Sequence, residues 1–343
     1  MSPKVSFLVP VYNVAEYIEQ CAKSIFEQTL DDIEIIFVDD CSTDDSIEIA
    51  LRTLEDYPQR KNQVRVIRHE HNMGIAATRK ELVQLSSGDY TMQVDSDDRI
   101  DPRTGELMYE RAISTGADSV VCDIIIDKVS RTLYGKFDSE EREGNDTQKL
   151  MDDIINRRAR AGMACLLVRR GLFFDNDIVW PQGNYAEDML LSTQVALFAK
   201  RMDWVHEGLY FYRMNPKSVS HTPTVQHTLR NFNGYQSVMN DWIGIMRQHG
   251  MLEKYERGLR MNQIFCRNVL LPITDKLKYR RLFFKTYPEI NRFYLFGDAE
   301  NKPSYRERIF IAGVWLGLYP RFKRFFVSKH FRPRSEWSVY TPR

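Results

Sequence analysis

Tyr90-Thr91-Met92-Gln93-Val94-Asp95-Ser96-Asp97-Asp98 is the stretch that decides the fold, because an apolar run stops at three carboxylates in four residues. Carboxylates this close repel one another, and a fold keeps them where a cation such as Mg²⁺ or Mn²⁺ sits between them and an anionic ligand. The end of a strand is also where open α/β sheets bind ligands. The competing reading is a solvated turn in which Asp98 or Asp101 caps a helix starting near Pro102. The tetrapeptide alone does not separate the two.

Around this run, short β-branched segments alternate with amphipathic ones, the pattern of βαβ units about a parallel sheet. Strands are expected at Val5 to Val11, Ile33 to Val38, Val64 to Arg68, Tyr90 to Val94 and Ser119 to Ile126. Between them, Ile18, Cys21, Ile25 and Phe26 keep helical spacing, as do Ile47, Ala50, Leu51 and Leu54. Further helices are expected over Ile75 to Leu85, Pro102 to Thr115, Thr147 to Arg158 and Met189 to Phe198, with strands at Ala164 to Arg169 and Trp204 to Tyr212. Asp127 to Asn145 is polar and suits a hairpin or excursion at the sheet edge. After Val225 the pattern is helical and aromatic, so the expected organisation is a ligand-binding α/β domain over 1–224 and a helical region over 225–343.

At 343 residues and 43% hydrophobic, the chain can bury a full core. Its net charge of +1 hides an asymmetry: residues 302–343 hold ten Lys or Arg against Glu307 and Glu336, which is 10 − 2 = +8, and the remainder is 1 − 8 = −7. A basic tail on an acidic body is expected to meet an anionic surface. Within 306–334, Ile309, Phe310, Val314, Trp315, Leu316, Tyr319 and Phe322 are interleaved with Arg321, Lys323, Arg324 and Lys329. Such a segment can lie in the headgroup layer of an anionic leaflet, or pack on the protein or on a second subunit. The five cysteines are scattered without a C-x-x-C pair, which argues against disulfide and zinc frameworks and for a reducing cytoplasm. The longest apolar stretch, Ile309 to Tyr319, falls short of the ~20 residues that cross a bilayer. The expected location is cytoplasmic, peripheral on the inner leaflet of the plasma membrane.

Three more strand ends carry polar chemistry. Val9-Pro10-Val11-Tyr12-Asn13 ends the first strand, and Tyr12 offers a ring to a planar base. Val38-Asp39-Asp40-Cys41-Ser42-Thr43-Asp44-Asp45-Ser46 ends the second with carboxylates that can accept from a base or a ribose hydroxyl, while Asp44, Asp45 and Ser46 suit helix capping. Asn72-Met73-Gly74 precedes a helix in which the Arg79 guanidinium can reach a diphosphate.

Taken together, these segments resemble the inverting glycosyltransferases of family 2, in order and spacing, over roughly residues 4–220. The resemblance implies the GT-A fold, a Rossmann-like, mostly parallel sheet flanked by helices. It also implies a nucleotide-sugar donor, UDP in type, bound near Pro10, Tyr12, Asn13, Asp39, Arg79 and Asp95. Asp97, with Asp95, then matches the acidic motif that holds Mn²⁺ or Mg²⁺ against the diphosphate. A base must also deprotonate the acceptor hydroxyl. The family draws it from a downstream acidic pair, here Tyr185-Ala186-Glu187-Asp188, with Asp188 the expected base and Glu187 its fallback. Both acids also suit a helix N-terminus. Trp180 can stack on a donor or acceptor sugar, or simply anchor its loop. His221, in the polar loop after Tyr212, can add a metal or phosphate contact.

The expected activity is therefore metal-dependent hexosyl transfer to a saccharide acceptor, lipid-linked in many relatives, in cell-surface polysaccharide or glycan synthesis. A nucleotidyltransferase would need a glycine-rich phosphate loop after the first strand, and dinucleotide oxidoreduction a G-x-G-x-x-G there; Pro10 to Tyr17 supplies neither. A non-catalytic nucleotide-sugar-binding domain would not need the acidic positions, all of which are present. Nothing points to nucleic acid, and a homo-oligomer is compatible with the sequence.

Overall fold

The computed structural model describes residues 2–126, 133–134, 147–155, 162–181, 186–213, 224–296 and 305–321. Residues 1–154 and 158–216 form one compact unit, and 155–157 with 217–343 a second. The helical unit thus begins a few residues before the expected boundary at 224.

In the first unit, β1 (Val5–Val11) and β2 (Ile33–Asp39) are buried along their whole length. Both faces are covered, so these strands read as continuous apolar runs rather than alternating ones. They pair in parallel with each other, β2 with β3 (Val64–Arg68), and β1 with β4 (Tyr90–Gln93). The helices α1 (Ile18–Phe26), α2 (Ser46–Leu54) and α3 (Ile75–Leu85) connect them. On α1, Ile18, Cys21, Ala22, Ile25 and Phe26 are buried, the i, i+3, i+4, i+7, i+8 stripe of a helix laid on a sheet. The register sets Val11 beside Asp39 and Asp39 beside Arg68, so the carboxyl ends of these strands form one edge.

Beyond β4 the sheet is mixed, where the sequence suggested mostly parallel strands. With β5 (Arg99–Ile100), β6 (Ser119–Ile126), β8 (Leu166–Arg169) and β9 (Met202–Tyr212), the order is β3-β2-β1-β4-β8-β6-β9-β5, and β7 (Leu133–Tyr134) lies beside β6. β8 runs antiparallel to both β4 and β6, and β9 parallel to β6. β5 pairs antiparallel with the end of β9 and was not evident in the sequence, since two residues carry no period. α4 (Thr104–Thr115) follows and stops at Gly116, whose left-handed φ of 67° ends the helix. α5 (Thr147–Ile155), the short α6 (Gly171–Phe174) and α7 (Glu187–Phe198) complete this part of the chain.

The second unit is helical: α8 (Val225–Gln248), α9 (Leu252–Asn268), α10 (Leu277–Lys285), α11 (Pro288–Phe296) and α12 (Tyr305–Trp315). Thr224 caps α8, its hydroxyl accepting the His227 N–H at 3.1 Å. Arg267 is fully buried, with its guanidinium over the Phe283 ring at 4.5 Å and donating to Asn291. No helix among the described residues is long and apolar enough to cross a membrane. Of the basic tail expected over 306–334, residues 322–334 lie outside the described residues.

Candidate functional site

At the end of β1 the chain leaves the sheet through Pro10 and Val11 into Tyr12, whose ring is 49% exposed and free to receive a planar partner. Asn13 takes a left-handed φ of 53° and turns inward: its Oδ1 accepts the Thr43 N–H at 2.8 Å, and its own N–H donates to the Ser42 hydroxyl. Strain in a non-glycine residue of this kind is retained where surrounding contacts fix it, typically at functional sites. Asp44 accepts the Ala15 N–H, and the Ser46 hydroxyl accepts the Val14 N–H, so these residues stitch the two strand-end loops together. Asp45 occupies the N-cap of α2 without a side-chain capping bond, contrary to the expectation that it caps.

The Asp39-Asp40 doublet divides its labour. Asp39 is buried and fixes the following turn by accepting the Ser42 N–H at 2.9 Å. Asp40 accepts the N–H groups of Met73 and Gly74 at 2.6 and 2.8 Å, which holds the loop before α3 against β2. It also bonds His69 Nδ1 at 2.8 Å, and His69 Nε2 meets Glu81 of α3 at 2.6 Å. Burial lowers the His69 pKa, yet the flanking Asp40 and Glu81 carboxylates raise it above the ordinary value. A raised native pKa gives stability that is fully present below the unfolded value and is lost as pH rises through the native one. His69→Gln is therefore expected to cost about 1–3 kcal/mol near pH 6. The gap to the parent protein should narrow as pH rises, as read from urea titrations across the pH range. A pH-independent gap would show that no imidazolium is held there.

The acidic turn is closed by the Asp98 N–H donating to the Asp95 carbonyl at 2.9 Å. Asp98 is buried, and it caps no helix: its carboxylate accepts the Tyr210 hydroxyl and the Arg213 N–H, both at 2.7 Å. The Tyr210 oxygen in turn accepts the Asp95 N–H at 3.1 Å, and Arg213 Nε donates to the Asp97 carbonyl at 3.0 Å. Burial, with the charges of Asp95 and Asp97, pushes the Asp98 pKa up to about 8 against these two hydrogen bonds. Asp98 thus shapes the turn, while Asp95 and Asp97 are half-buried at its surface. Asp101 caps locally, accepting the Arg103 N–H at 2.9 Å. Among the described residues no group of three or more His, Cys, Asp and Glu side chains forms a metal cage. Two half-buried carboxylates on one turn do fit a hard cation that takes its remaining ligands from phosphate and water.

Arg79 is buried rather than open to a diphosphate. Its two terminal nitrogens donate to Asp95 and to Glu187, each at 2.7 Å, tying α3 to the acidic turn and to the start of α7. Burial lowers its pKa, but Asp95, Glu187 and Asp188 together outweigh this and raise it. Glu187 is engaged by Arg79, whereas the neighbouring Asp188 bonds within the first turn of α7. Asp188 Oδ1 accepts the Met189 N–H at 2.9 Å, and among the described residues nothing donates to Oδ2. Burial, then the adjacent Glu187, raise the Asp188 pKa to about 7 in spite of Arg79. A carboxylate so poised accepts a proton near neutrality. The chain turns into α7 through Ala186 at a left-handed φ of 62°.

Trp180 stacks on Phe173 with ring centroids 6.0 Å apart, a packing contact that leaves it half-buried. His221 lies outside the described residues. Sequence reasoning passed over Asp40, His69, Tyr210 and Arg213. For Asp40 the signal was its place in the acidic doublet; for Tyr210 and Arg213 there was none, because their partners stand 112 and 115 residues away.

Comparison with known proteins bears on the family and the fold. The sequence pattern described as glycosyl transferase family 2 matches residues 6–175. The uncharacterized glycosyltransferase EpsJ of Bacillus subtilis is 33% identical over 232 residues, 65% of this chain and 64% of EpsJ, so the match spans less than two thirds of that relative. Among solved structures, S. aureus TarS 1–349 in complex with UDP-GlcNAc superposes with a TM-score of 0.58 at 20% identity, covering 96% of this chain and 85% of that one. The mannosyltransferase PcManGT of Pyrobaculum calidifontis, in complex with GDP-Man and Mn²⁺, gives 0.51 at 14% identity, covering 94% and 88%. At these identities the structural likeness speaks for the fold, which is GT-A. With sequence pattern and fold in accord, the chain carries a glycosyl transferase family 2 domain over residues 6–175.

Proposed function

We propose that the chain moves a sugar from a UDP-sugar to a hydroxyl of a saccharide acceptor, with inversion at the anomeric carbon and with Mn²⁺ or Mg²⁺ as cofactor, in the synthesis of a cell-surface glycan. The observation that carries this reading is Asp188, a poised carboxylate whose Oδ2 receives no donor among the described residues, next to Glu187, which Arg79 ties to the acidic turn. Asp188 Oδ2 takes the proton of the acceptor hydroxyl as its oxygen bonds to C1. The bond from C1 to the diphosphate oxygen breaks on the opposite face, and the electron pair leaves with the diphosphate. Tyr12 and Asp39 would seat the base and ribose, and Asp97 with Asp95 would hold the cation. When bound, that ion neutralises charge on the departing diphosphate. Asp98, Tyr210 and Arg213 keep the turn in shape for it. The UDP-GlcNAc and Mn²⁺ complexes of the two structural neighbours support this reading.

The test is UDP release from a panel of nucleotide sugars, with Mn²⁺ and with EDTA. Release with one UDP-sugar that stops in EDTA is expected, and metal-independent turnover would sink the role given to Asp97. Asp97→Asn should raise the Mn²⁺ concentration needed for half-maximal release at least about tenfold.

A further inference from the structure

α12 has two apolar faces. Phe310, Ile311 and Val314 point inward, with the Phe310 ring 5.8 Å from Tyr294 and 5.7 Å from Tyr319. Yet Tyr305, Ile309, Trp315 and Leu316 are 66, 46, 66 and 55% exposed. Positions 305, 309, 312 and 316 follow the i, i+4, i+7, i+11 spacing of one helical stripe, and Trp315 stands beside its end. The sequence alone had merged both sets into a single amphipathic tail. In the structure only half of those residues are spoken for, and a soluble surface helix would carry charge on the other half.

From this stripe and the charge around it we infer that the outward face of α12 docks on an anionic lipid surface. Three observations select that occupant. The segment 302–343 carries +8 while the rest of the chain carries −7, so a negative surface attracts this segment rather than the rest of the chain. The same +8 sets two copies of the segment against each other, which disfavours a second chain as the cover. Tyr305 and Trp315 stand at the two ends of the stripe, and these are the side chains that settle at the boundary between headgroups and acyl chains. A helix of 11 residues is ~16 Å long, so it lies in the plane of the leaflet and does not cross it. The inference is independent of which sugar the chain transfers.

The experiment is flotation of the full chain with phosphatidylcholine vesicles, with and without phosphatidylglycerol. Binding to the anionic vesicles that weakens between about 0.1 and about 0.5 M salt is expected, with little binding to the neutral ones. Ile309→Ser/Trp315→Ser/Leu316→Ser should reduce partition at least about tenfold. Arg308→Gln/Arg321→Gln should reduce it about 30-fold, roughly fivefold for each charge removed. Both variants should retain the parent's thermal midpoint and its UDP-sugar turnover without lipid, which separates a lost surface from a lost fold. No flotation of the parent chain, or equal flotation of the apolar variant, would overturn the inference. So would a dimer of the parent that the apolar variant dissolves, since a second copy would then be what covers the stripe.

Discussion

Asp188→Asn should lower kcat by about 10²–10⁴-fold while leaving the KM for the nucleotide sugar nearly unchanged. The direction follows from where Asp188 sits. Its Oδ1 is occupied by the Met189 N–H and among the described residues nothing donates to its Oδ2, so an amide at this position should keep the fold and lose only the proton acceptor. Because burial and Glu187 lift its pKa to about 7, the parent enzyme carries a further signature. The proposed base acts as the carboxylate, so kcat/KM should fall tenfold per pH unit below about 7 and level off above it. That limb should vanish in Asp188→Asn. Glu187→Gln serves as the contrast. It removes the neighbouring charge that raises Asp188 and frees one arm of Arg79, so the limb should persist and move toward lower pH. A limb unchanged in Asp188→Asn would assign the titration, and the base, to another group.

What could be read in the sequence follows the range of the forces involved. Strands β1, β3 and β6 and helix α3 start and end where the pattern of apolar residues placed them, because hydrophobic patterning is local, whether the strand is fully buried, as β1 is, or half-exposed at the sheet edge, as β3 is. The carboxylates at the strand ends were legible for the same reason: a motif is a local arrangement. What the acids do with one another was not. Asp98 was read as a possible helix cap, yet it turns inward to Tyr210 and Arg213 at the far end of β9, and that pairing exists only once β5 and β9 have met. Arg79 was similarly assigned to a diphosphate because its place on α3 aims it at the strand ends. The two carboxylates that claim it lie 16 and 108 residues away. His69 carried no ligand spacing at all, since its partners come from β2 and α3.

Arg79→Ala is expected to destabilise the protein by about 3–5 kcal/mol, the range for removing one member of a buried ion pair. The cost arises less from the lost attraction than from what is left behind. The side chains of Arg79 and Glu187 are 7 and 9% exposed and that of Asp95 is 31% exposed, so one deletion strands a buried carboxylate and a half-buried one without their cation. Restoring bulk without charge should not help, and Arg79→Met should fall in the same range. Arg79→Lys should do better, yet still lose, because one ammonium cannot present two diverging donors to two acids. The decisive measurement is a cycle with Glu187→Gln. If the guanidinium acts chiefly as the bridge between the acidic turn and α7, the double variant should be more stable than Arg79→Ala alone, since the stranded charge has gone with its partner. Simple additivity of the two losses would mean that Arg79 is held by Asp95 alone. Donor binding would then be expected to survive changes at Glu187 and to fail only with changes at the turn.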